Sequence, residues 1–300
     1  MVASTPTSDD FKGEVVGANG RIGSFLLRSV DDYATVSKDQ VPGSYSQVGS
    51  PILVAVPATQ ISNVIDSTPI SRRNDLIFVT NGIPSDFLSN PKTKIRYDGI
   101  DKDLVTTSVP HFGVLGIGSD PISNESSPPT FIHGKNAKLL DDILSSSGLN
   151  TSIVQESQEV DAKAIRKLLW VSAMWLLCHD SKIGNTDDFQ PLTVKQVHEQ
   201  RGEALNDILE ELLPVANLLL QKYYPHNEEY TDKHLSVGEV SKYMQDYSFS
   251  MPTAIPNKML AIDEFAQRNG NLLAMKKFIK QPIHEERIIN VVGFIPKEGY

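Results

Sequence analysis

The sequence predicts an α/β protein in which an N-terminal, doubly wound parallel sheet is followed by an all-helical C-terminal domain. Short apolar runs alternate with helical segments up to about residue 150. Beyond about residue 160, apolar positions recur with the helical period, and runs of β-branched residues become rare. Alternating strands and helices are typical of a parallel sheet. At 300 residues, the chain suits two domains of roughly 150 residues each.

The composition is that of an ordinary globular protein, with 40% hydrophobic and 22% charged residues. A net charge of -9 argues against nucleic acid or an anionic membrane as a partner. The single cysteine, Cys178, excludes an internal disulfide and is typical of a reducing compartment, so we expect a cytoplasmic protein. The first 12 residues are small, polar and acidic, which predicts a flexible arm and not a secretory signal.

The first element is a strand, a glycine turn and a helix. A short apolar run after Glu14 leads into three glycines spaced G-x-x-G-x-x-G, where the usual spacing is G-x-G-x-x-G. Such glycines let the backbone approach a pyrophosphate, which the N–H groups at the helix N-terminus then face. A glycine-rich turn that holds no ligand is the alternative. The residues expected to bind a dinucleotide here are Gly17, Asn19, Gly20, Arg21, Ile22 and Gly23.

Further strands and helices alternate along the first half. Residues 33–37 predict a second strand, and continuous apolar runs at 51–57 and 75–80 predict parallel strands that are buried on both faces. Residues 59–66 predict the beginning of a helix. The remaining β segments are expected at residues 104–108, 113–117 and 130–133. The stretch 118–129 is rich in Ser, Pro and Asn and predicts an exposed loop.

The second half carries helical periodicity, with a central helix that Pro214 is expected to kink. The helical segments are residues 160–178, 194–223, 237–245 and 258–267. The run 168–178 is too short to span a bilayer, which takes about 20 residues. We therefore divide the chain into a flexible arm (1–12), a dinucleotide-binding domain (13–157) and a helical domain for substrate binding or dimerisation (158–300).

The type of dinucleotide is expected to depend on the end of the second strand. The ribose is recognised about 20 residues after the first glycine, which leads to Ser37, Lys38 and Asp39. A basic residue there favours the 2′-phosphate of NADP, and an acidic residue favours NAD. Ser37 and Lys38 therefore predict NADP, while Asp39 keeps NAD open.

The order of these features resembles the ketopantoate reductases, which are two-domain oxidoreductases with an N-terminal Rossmann domain and a helical C-terminal domain. The chain is accordingly interpreted as a divergent member with a Rossmann-like first domain. The matching segments are the glycine turn at 17–23, residues 52–60 and 77–82, the helix entrance at 166–169, Ser250-Met251 and Asn269-Gly270.

The resemblance implies roles for particular residues. Asn81 matches an asparagine that lies between nicotinamide and substrate, and Pro57 is assigned with it to the cofactor. Lys167 matches a lysine that donates a proton to the reduced carbonyl. The sequence itself also singles out Lys167, because a charge directly before an apolar run must be paired or must face a cleft. A lysine that snorkels at the helix start is the alternative.

The chain also departs from the family pattern. Val171 and Trp175 stand where the family has substrate-binding asparagines, and Ala254 stands where it has an acidic residue. Glu264 is a shifted match to a substrate-side glutamate, and a solvated helix carboxylate is the alternative interpretation. Trp175, about two turns beyond Lys167, is expected near the same side of the helix, or else in the core. Ketopantoate itself is therefore not the expected substrate.

These observations predict an NADP-dependent reductase that acts on a small 2-oxo acid or a related carbonyl compound. The alternative is a nucleotide-binding regulatory or redox-sensing protein that has lost catalysis. We expect a small-molecule carbonyl substrate and no nucleic-acid or membrane partner, with a homodimer left open. No metal is expected, because His226, His234 and the other histidines lack the spacing of metal ligands. His111 either approaches the nicotinamide or is structural.

Overall fold

The computed structural model describes residues 11–89, 95–114, 116–124, 126–183, 190–223 and 235–296. His226, His234 and the first ten residues of the arm lie outside these ranges. The chain divides into two compact units, of which the first ends at Asp161 and the second begins at Ala162. Over the described ranges, no helix combines the length and the apolar character needed to cross a bilayer.

The first unit is built on a seven-stranded sheet with strand order β2-β1-β3-β4-β5-β8-β9, and β6 and β7 form a separate hairpin. The strands are β1 (Gly13–Val16), β2 (Tyr33–Val36), β3 (Ile52–Val54), β4 (Leu76–Val79), β5 (Thr106–Val109), β6 (Gly113–Val114), β7 (Pro121–Ile122), β8 (Thr130–His133) and β9 (Thr151–Ile153). The first five strands in the sheet order are parallel, which confirms the predicted architecture. β8 runs antiparallel to β5, and β9 is parallel to β8.

The central strands form because both of their faces are buried. Val15, Leu53 and Ile77 are aligned across β1, β3 and β4 and contribute to one apolar cluster. The next residue of each strand points to the opposite face and joins a second cluster, as the two-residue period of a strand requires. This two-sided burial explains why these strands are continuous apolar runs in the sequence.

In the described part of the first unit, four helices and two short 3-10 helices, Ala58–Gln60 and Ile70–Asp75, accompany the sheet. The helices are α1 (Arg21–Arg28), α2 (Ile61–Ser67), α3 (Pro84–Phe87) and α4 (Ala137–Ser146). Phe25 and Leu26 of α1 pack on one face of the sheet, and Ile61 and Ile65 of α2 pack on the other. The sheet is therefore covered on both faces, as in a doubly wound fold.

Residues 37–51, between β2 and β3, contain no helix. The loop is organised by Glu14, a buried carboxylate of β1 that accepts hydrogen bonds from the N–H groups of Gly43 at 2.7 Å and of Tyr45 and Ser46 at 2.9 Å. The guanidinium of Arg72 donates to the carbonyl oxygens of Gly43, Ser46 and Ser50 in the same loop. It also forms an ion pair with Asp75 at 2.7 Å. No described strand pairs with the outer edge of β2, so the sheet ends there.

Among the described residues of the second unit, the regular elements are all helices, which confirms the predicted helical C-terminal region. Its helices are α5 (Ser157–His179), which begins in the first unit, α6 (Val194–Gln200), α7 (Gly202–Tyr223), α8 (Val237–Ser250), α9 (Lys258–Asp263), α10 (Asn269–Leu273) and α11 (Pro282–Val292). The helix expected over 194–223 is interrupted at Arg201. The guanidinium of Arg201 is buried and donates to the carbonyl groups of Leu177, Asp180 and Ile183.

Candidate functional site

The glycine turn joins β1 to α1 in a conformation that only small residues permit. Gly17 has φ of +83°, and a Cβ atom there would lie 2.5 Å from the carbonyl oxygen of Ala55. A Cβ atom on Gly23 would lie 2.0 Å from the carbonyl oxygen of Gly17. These two glycines therefore allow the turn to pass close to the residue after β3 and allow α1 to approach the turn.

The helix N-terminus at this turn is exposed and carries no acidic residue in its first turn. Gly20 is the N-cap residue of α1 and makes no side-chain capping bond; its own N–H donates to the Gly17 carbonyl at 2.9 Å. Unpaired N–H groups and the positive end of the helix dipole favour an anion at such a terminus. The exposed residues Asn19, Gly20 and Arg21 border it. The turn therefore fits the pyrophosphate of a dinucleotide.

The tip of the β6–β7 hairpin contacts α1, a feature that has no local signal in the sequence. The N–H of Gly118 donates to Ser24 Oγ at 3.2 Å. Arg28 Nη2 donates to the carbonyl oxygen of Ser119 at 3.0 Å and to Asp120 Oδ1 at 3.2 Å. The segment expected to be an exposed loop is thus held beside the helix of the glycine turn, and it includes strand β7.

The residues expected to recognise the ribose lie at the end of β2, next to the glycine turn in the sheet. Ser37, Lys38 and Asp39 are all exposed and follow Val36, which is aligned with Val16 of β1. The side chain of Gln40 closes this segment by accepting the Ser37 N–H at 2.6 Å. The hydroxyl of Ser37, the cation of Lys38 and the carboxylate of Asp39 therefore lie together at the end of β2. This arrangement is compatible with NADP and with NAD.

The ends of β3 and β4 complete this edge of the sheet. The hydroxyl of Thr80 donates to the Val56 carbonyl at 2.9 Å, which connects the two strand ends. Pro57 follows Val56 and is exposed, and Asn81 follows Thr80 and is half-buried. In open α/β sheets, ligands bind outside the carboxyl ends of the strands where the strand order reverses. Here the order reverses between β1 and β3, beside the glycine turn.

The loop that carries Asn81 is anchored by Asp161. Ser85 of α3 donates to this buried carboxylate from its backbone N–H at 3.0 Å and from its hydroxyl at 2.5 Å. Asp161 lies on α5, six residues before Lys167. Sequence reasoning missed Asp161, although an acidic residue among the apolar positions of a predicted helix is the signal that could have identified it.

His111 has the environment of a structural histidine. It is buried, its Nδ1 lies 3.0 Å from the Val109 carbonyl oxygen, and its N–H donates to Thr130 Oγ1 at 3.1 Å. Its ring meets Phe131 edge-on, with 5.8 Å between the ring centroids. These contacts favour the structural interpretation over an approach to the nicotinamide.

Lys167 is buried within the second unit, with 8% of its surface exposed. Burial lowers the pKa of its ammonium group and the charge of Arg268 adds to this, while the charge of Glu264 partly offsets both effects; together they bring the pKa to about 7. A snorkelling lysine would keep its charged end in water, so that alternative is wrong. A lysine with a pKa near neutrality can both donate and accept a proton under physiological conditions.

Glu264 is also buried, with 6% of its surface exposed, so the interpretation as a solvated helix carboxylate is wrong. Its Oε2 accepts hydrogen bonds from Arg268 Nε at 2.9 Å and from Arg268 Nη2 at 2.6 Å. The segment expected to be helical over 258–267 ends as a helix at Asp263 and continues as a 3-10 turn over Phe265–Gln267. Sequence reasoning missed Arg268, although its spacing of four residues from Glu264 was visible.

Trp175 lies in the core of the second unit. Its side chain is fully buried, and its Nε1 has no hydrogen-bond partner among the described residues. The core-filling alternative therefore describes Trp175 better than a position beside a cleft. Val171 is half-buried, and Ala254 accepts a backbone hydrogen bond from Val194 at 2.9 Å.

Two further side-chain features limit the chemistry of the described residues. Burial raises the pKa of the Cys178 thiol to about 12, and the nearby Arg201 opposes this only in part. The thiol therefore stays protonated and is not a nucleophile. Within the part of the chain that the structure describes, no cluster of His, Cys, Asp or Glu is arranged to hold a metal ion.

Several solved structures share this fold. A ternary complex of D-mandelate dehydrogenase with NADH and anilino(oxo)acetate has a TM-score of 0.63 and 16% identity, and the similarity covers 94% of this chain and 97% of that chain. A PanE/ApbA family ketopantoate reductase from Ralstonia eutropha JMP134 has a TM-score of 0.58 and 14% identity, with 93% and 96% covered. A 2-dehydropantoate 2-reductase from Geobacter metallireducens GS-15 has a TM-score of 0.57 and 13% identity, with 93% and 98% covered.

At these low identities, the similarity establishes the fold and leaves the activity open. The chain matches no protein-family model and no curated protein sequence. The expected resemblance to ketopantoate reductases is confirmed at the level of the fold, over nearly the whole length of both chains.

Proposed function

We propose that this chain is an NADP-dependent oxidoreductase, divergent from the ketopantoate reductases, that reduces a small 2-oxo acid or a related carbonyl compound. The observation that carries the proposal is the burial of Lys167, whose pKa of about 7 suits a general acid. The fold shared with mandelate dehydrogenase and ketopantoate reductases supports it. NAD in place of NADP remains the alternative cofactor.

In this proposal, the first unit holds the dinucleotide, which supplies the hydride when bound. The glycine turn and the N-terminus of α1 bind the pyrophosphate through Gly17, Asn19, Gly20, Arg21, Ile22 and Gly23. Ser37 and Lys38 bind the ribose 2′-phosphate. Pro57 and Asn81, at the ends of β3 and β4, border the nicotinamide.

Lys167 and Asn81 carry the chemistry that the chain itself contributes. Lys167 in its charged form stabilises the negative charge that develops on the carbonyl oxygen and donates a proton to that oxygen. The side-chain amide of Asn81 orients the carbonyl group or the nicotinamide. The bond between Ser85 and Asp161 keeps the Asn81 loop in place. Lys167 then regains a proton from solvent.

The second candidate is a nucleotide-binding regulatory protein without catalysis. The apolar Val171 favours it, because it stands where the resemblance implies a polar partner that a hydroxylated substrate would need. Both candidates bind the cofactor, so cofactor binding cannot distinguish them.

Turnover is the experiment that tests the proposal. Oxidation of NADPH would be followed by absorbance over a panel of 2-oxo acids and aldehydes, with the parent chain, Lys167→Ala and Lys195→Ala. Lys195 is an exposed lysine of α6 and is the matched control. We expect the parent chain to oxidise NADPH with at least one 2-oxo acid. Turnover should be much lower in Lys167→Ala and unchanged in Lys195→Ala. Cofactor binding without turnover on any member of the panel would favour the regulatory candidate.

A further inference from the structure

The turn that follows β2 is closed by two hydrogen bonds between its first and last residues, Ser37 and Gln40. The backbone N–H of Gln40 donates to the Ser37 carbonyl oxygen at 3.1 Å. In return, the N–H of Ser37 donates to Oε1 of the Gln40 side chain at 2.6 Å. A glutamine closes a capping box at a helix N-terminus with the same kind of reciprocal bond. We call residues 37–40 the ribose turn.

The ribose turn begins beside the glycine turn. Val36 at the end of β2 is aligned with Val16 at the end of β1, and the backbones of neighbouring strands are about 4.8 Å apart. Ser37 and Gly17 are the next residues of these two strands, so the two turns start side by side. A dinucleotide whose pyrophosphate lies at the glycine turn has its adenosine ribose at the end of this second strand.

The two central residues of the ribose turn, Lys38 and Asp39, carry opposite charges. Both side chains are exposed, and neither forms an ion pair within the described part of the chain. A cation at this place favours the 2′-phosphate of NADP, and a carboxylate favours the 2′-hydroxyl of NAD. The central residues of a turn have different backbone angles, so their side chains leave the backbone in different directions. The conformation of the turn therefore decides which charge faces the ribose.

The chain is fixed on both sides of this turn. Val36 belongs to the sheet, and the N–H of Gly43 donates to the buried carboxylate of Glu14 at 2.7 Å. Between these two points, the side chain of Gln40 adds the second bond that closes the ribose turn. Without this bond, the turn keeps its position but loses a constraint on its conformation.

We propose that Gln40 is a positioning residue that sets the cofactor preference, because its side chain keeps the ribose turn in the conformation that directs Lys38, and not Asp39, towards the ribose 2′ position. The proposal rests on the proposed function and assigns the selection of NADPH to a residue that does not itself contact the phosphate. When the bond is lost, Asp39 faces the ribose in part of the molecules. Loss of Gln40 therefore lowers the preference for a 2′-phosphate and not the affinity for every adenosine ligand.

Binding of two adenosine fragments tests the proposal without turnover. Adenosine 2′,5′-bisphosphate carries the 2′-phosphate, and adenosine 5′-monophosphate carries a 2′-hydroxyl. Each would be titrated by calorimetry into the full parent chain and into Gln40→Met, whose side chain has a similar length but no acceptor oxygen. We expect the preference for the bisphosphate to fall about fivefold or more in Gln40→Met, as for the loss of one hydrogen bond. The affinity for the monophosphate should stay the same or rise, which a general loss of structure would not produce.

Three further variants show whether Gln40 acts through the turn. Gln40→Glu keeps an acceptor oxygen, so hydrogen exchange at the Ser37 amide should be as slow as in the parent chain and faster in Gln40→Met. In a Lys38→Ala background, Gln40→Met should change the bisphosphate affinity little further, because both residues serve one contact. Gln200→Met alters an exposed glutamine of α6 in the second unit and is the matched control. It should leave both affinities unchanged.

The proposal is overturned if Gln40→Met keeps the parent's preference, or if it weakens both fragments equally. These outcomes differ from a failure of the proposed function. A chain that selects the bisphosphate through Gln40 and Lys38 but oxidises no NADPH would support the positioning role and contradict the reductase. A chain that oxidises NADPH and keeps its preference in Gln40→Met would support the reductase and overturn the role of Gln40. A parent chain without any preference would overturn both this role and the assignment to NADP.

Discussion

Asp161 accepts two hydrogen bonds from Ser85, one from the backbone N–H at 3.0 Å and one from the hydroxyl at 2.5 Å. The carboxylate is buried on α5, and Ser85 lies four residues after Asn81. A buried carboxylate loses much of its hydration and must be compensated by such donors. The position of the Asn81 loop therefore depends on a residue remote from it in the sequence.

Removal of the Ser85 hydroxyl should loosen this loop. In Ser85→Ala the carboxylate of Asp161 keeps the backbone donor but loses the hydroxyl, and we expect the free energy of unfolding to fall by about 1–3 kcal/mol. Reductase turnover should fall as well if Asn81 acts as proposed. Ser89→Ala is the matched control, because that hydroxyl makes a local bond to the Ser85 carbonyl oxygen at 2.9 Å. Equal denaturation midpoints for the two variants would contradict this assignment.

Substitutions at two glycines of the turn should distinguish an effect on folding from an effect on cofactor binding. Gly23→Ala places a methyl group 2.0 Å from the Gly17 carbonyl oxygen, so we expect lower thermal stability and loss of NADPH binding together. At Gly20 the nearest atom to an added Cβ is 3.2 Å away. Gly20→Val should therefore fold but bind NADPH weakly, because its side chain covers the exposed helix N-terminus. Fluorescence titration and thermal unfolding measure the two effects.

Gly202→Ala is the control for the glycine variants, since an added Cβ there meets no atom within 4 Å and its φ is not in the left-handed region. It should bind NADPH like the parent chain. Unchanged NADPH affinity in Gly20→Val would show that the turn does not hold the pyrophosphate.

The sequence predicted those elements whose signal is local. β3 and β4 were predicted from their continuous apolar runs, and Lys167 was singled out because a charge precedes an apolar helix. The direction of β8 was not predictable in this way, because strand direction depends on pairing between distant segments and not on periodicity. The helix break at Arg201 and the Arg268–Glu264 pair likewise depend on contacts that form only in the folded chain.

The contacts that hold the loop between β2 and β3 also could not be predicted from local sequence signals. Glu14 reads as one polar residue at the start of an apolar strand, yet it binds three backbone N–H groups about 30 residues away. Arg72 and Asp75 stand just before β4 and are both buried. Burial raises the pKa of Asp75, but hydrogen bonds from Lys135 and Arg72 outweigh this and hold it below its usual value.

Loss of Arg72 should therefore be strongly destabilising. Arg72→Met leaves Asp75 with one cation fewer and removes the donor to the carbonyl groups of Gly43, Ser46 and Ser50. We expect the free energy of unfolding to fall by about 3–5 kcal/mol, as when one partner of a buried ion pair is removed. Lys12→Met breaks an exposed ion pair with Asp32 and should change the free energy of unfolding by less than about 1 kcal/mol. Urea denaturation of the two variants checks this difference.

Cofactor preference should follow Lys38. In the proposed function, the exposed Lys38 at the end of β2 binds the 2′-phosphate, so the chain should bind NADPH more tightly than NADH. Lys38→Ala should weaken NADPH binding by about tenfold and leave NADH binding unchanged. Lys138→Ala, an exposed lysine of α4, is the control. If the parent chain binds NADH as tightly as NADPH, the assignment to NADP is wrong.

The pH dependence should report the unusual state of Lys167. Its pKa of about 7 in the folded chain lies below the ordinary value of 10.5. Reduction needs the protonated form, so kcat/KM for carbonyl reduction should decrease as the pH rises above about 7. Lys167→Ala should lower turnover by about 10²–10⁴-fold, with little change in NADPH affinity. Turnover within about twofold of the parent chain would remove Lys167 from the mechanism.

The same shift makes a prediction for stability that does not require activity. Between pH 7 and pH 10.5 the unfolded chain binds a proton at Lys167 that the folded chain does not, so Lys167 should make the free energy of unfolding rise with pH over this window. The slope from this one group is at most about 1.4 kcal/mol per pH unit. In Lys167→Met, the part of the rise in the free energy of unfolding with pH that comes from Lys167 should be absent. This variant should also be more stable than the parent chain near neutral pH. The exposed-site variant Lys195→Met should show the same slope as the parent chain. Parallel stability profiles for the parent chain and Lys167→Met would show that Lys167 is solvated in the folded protein.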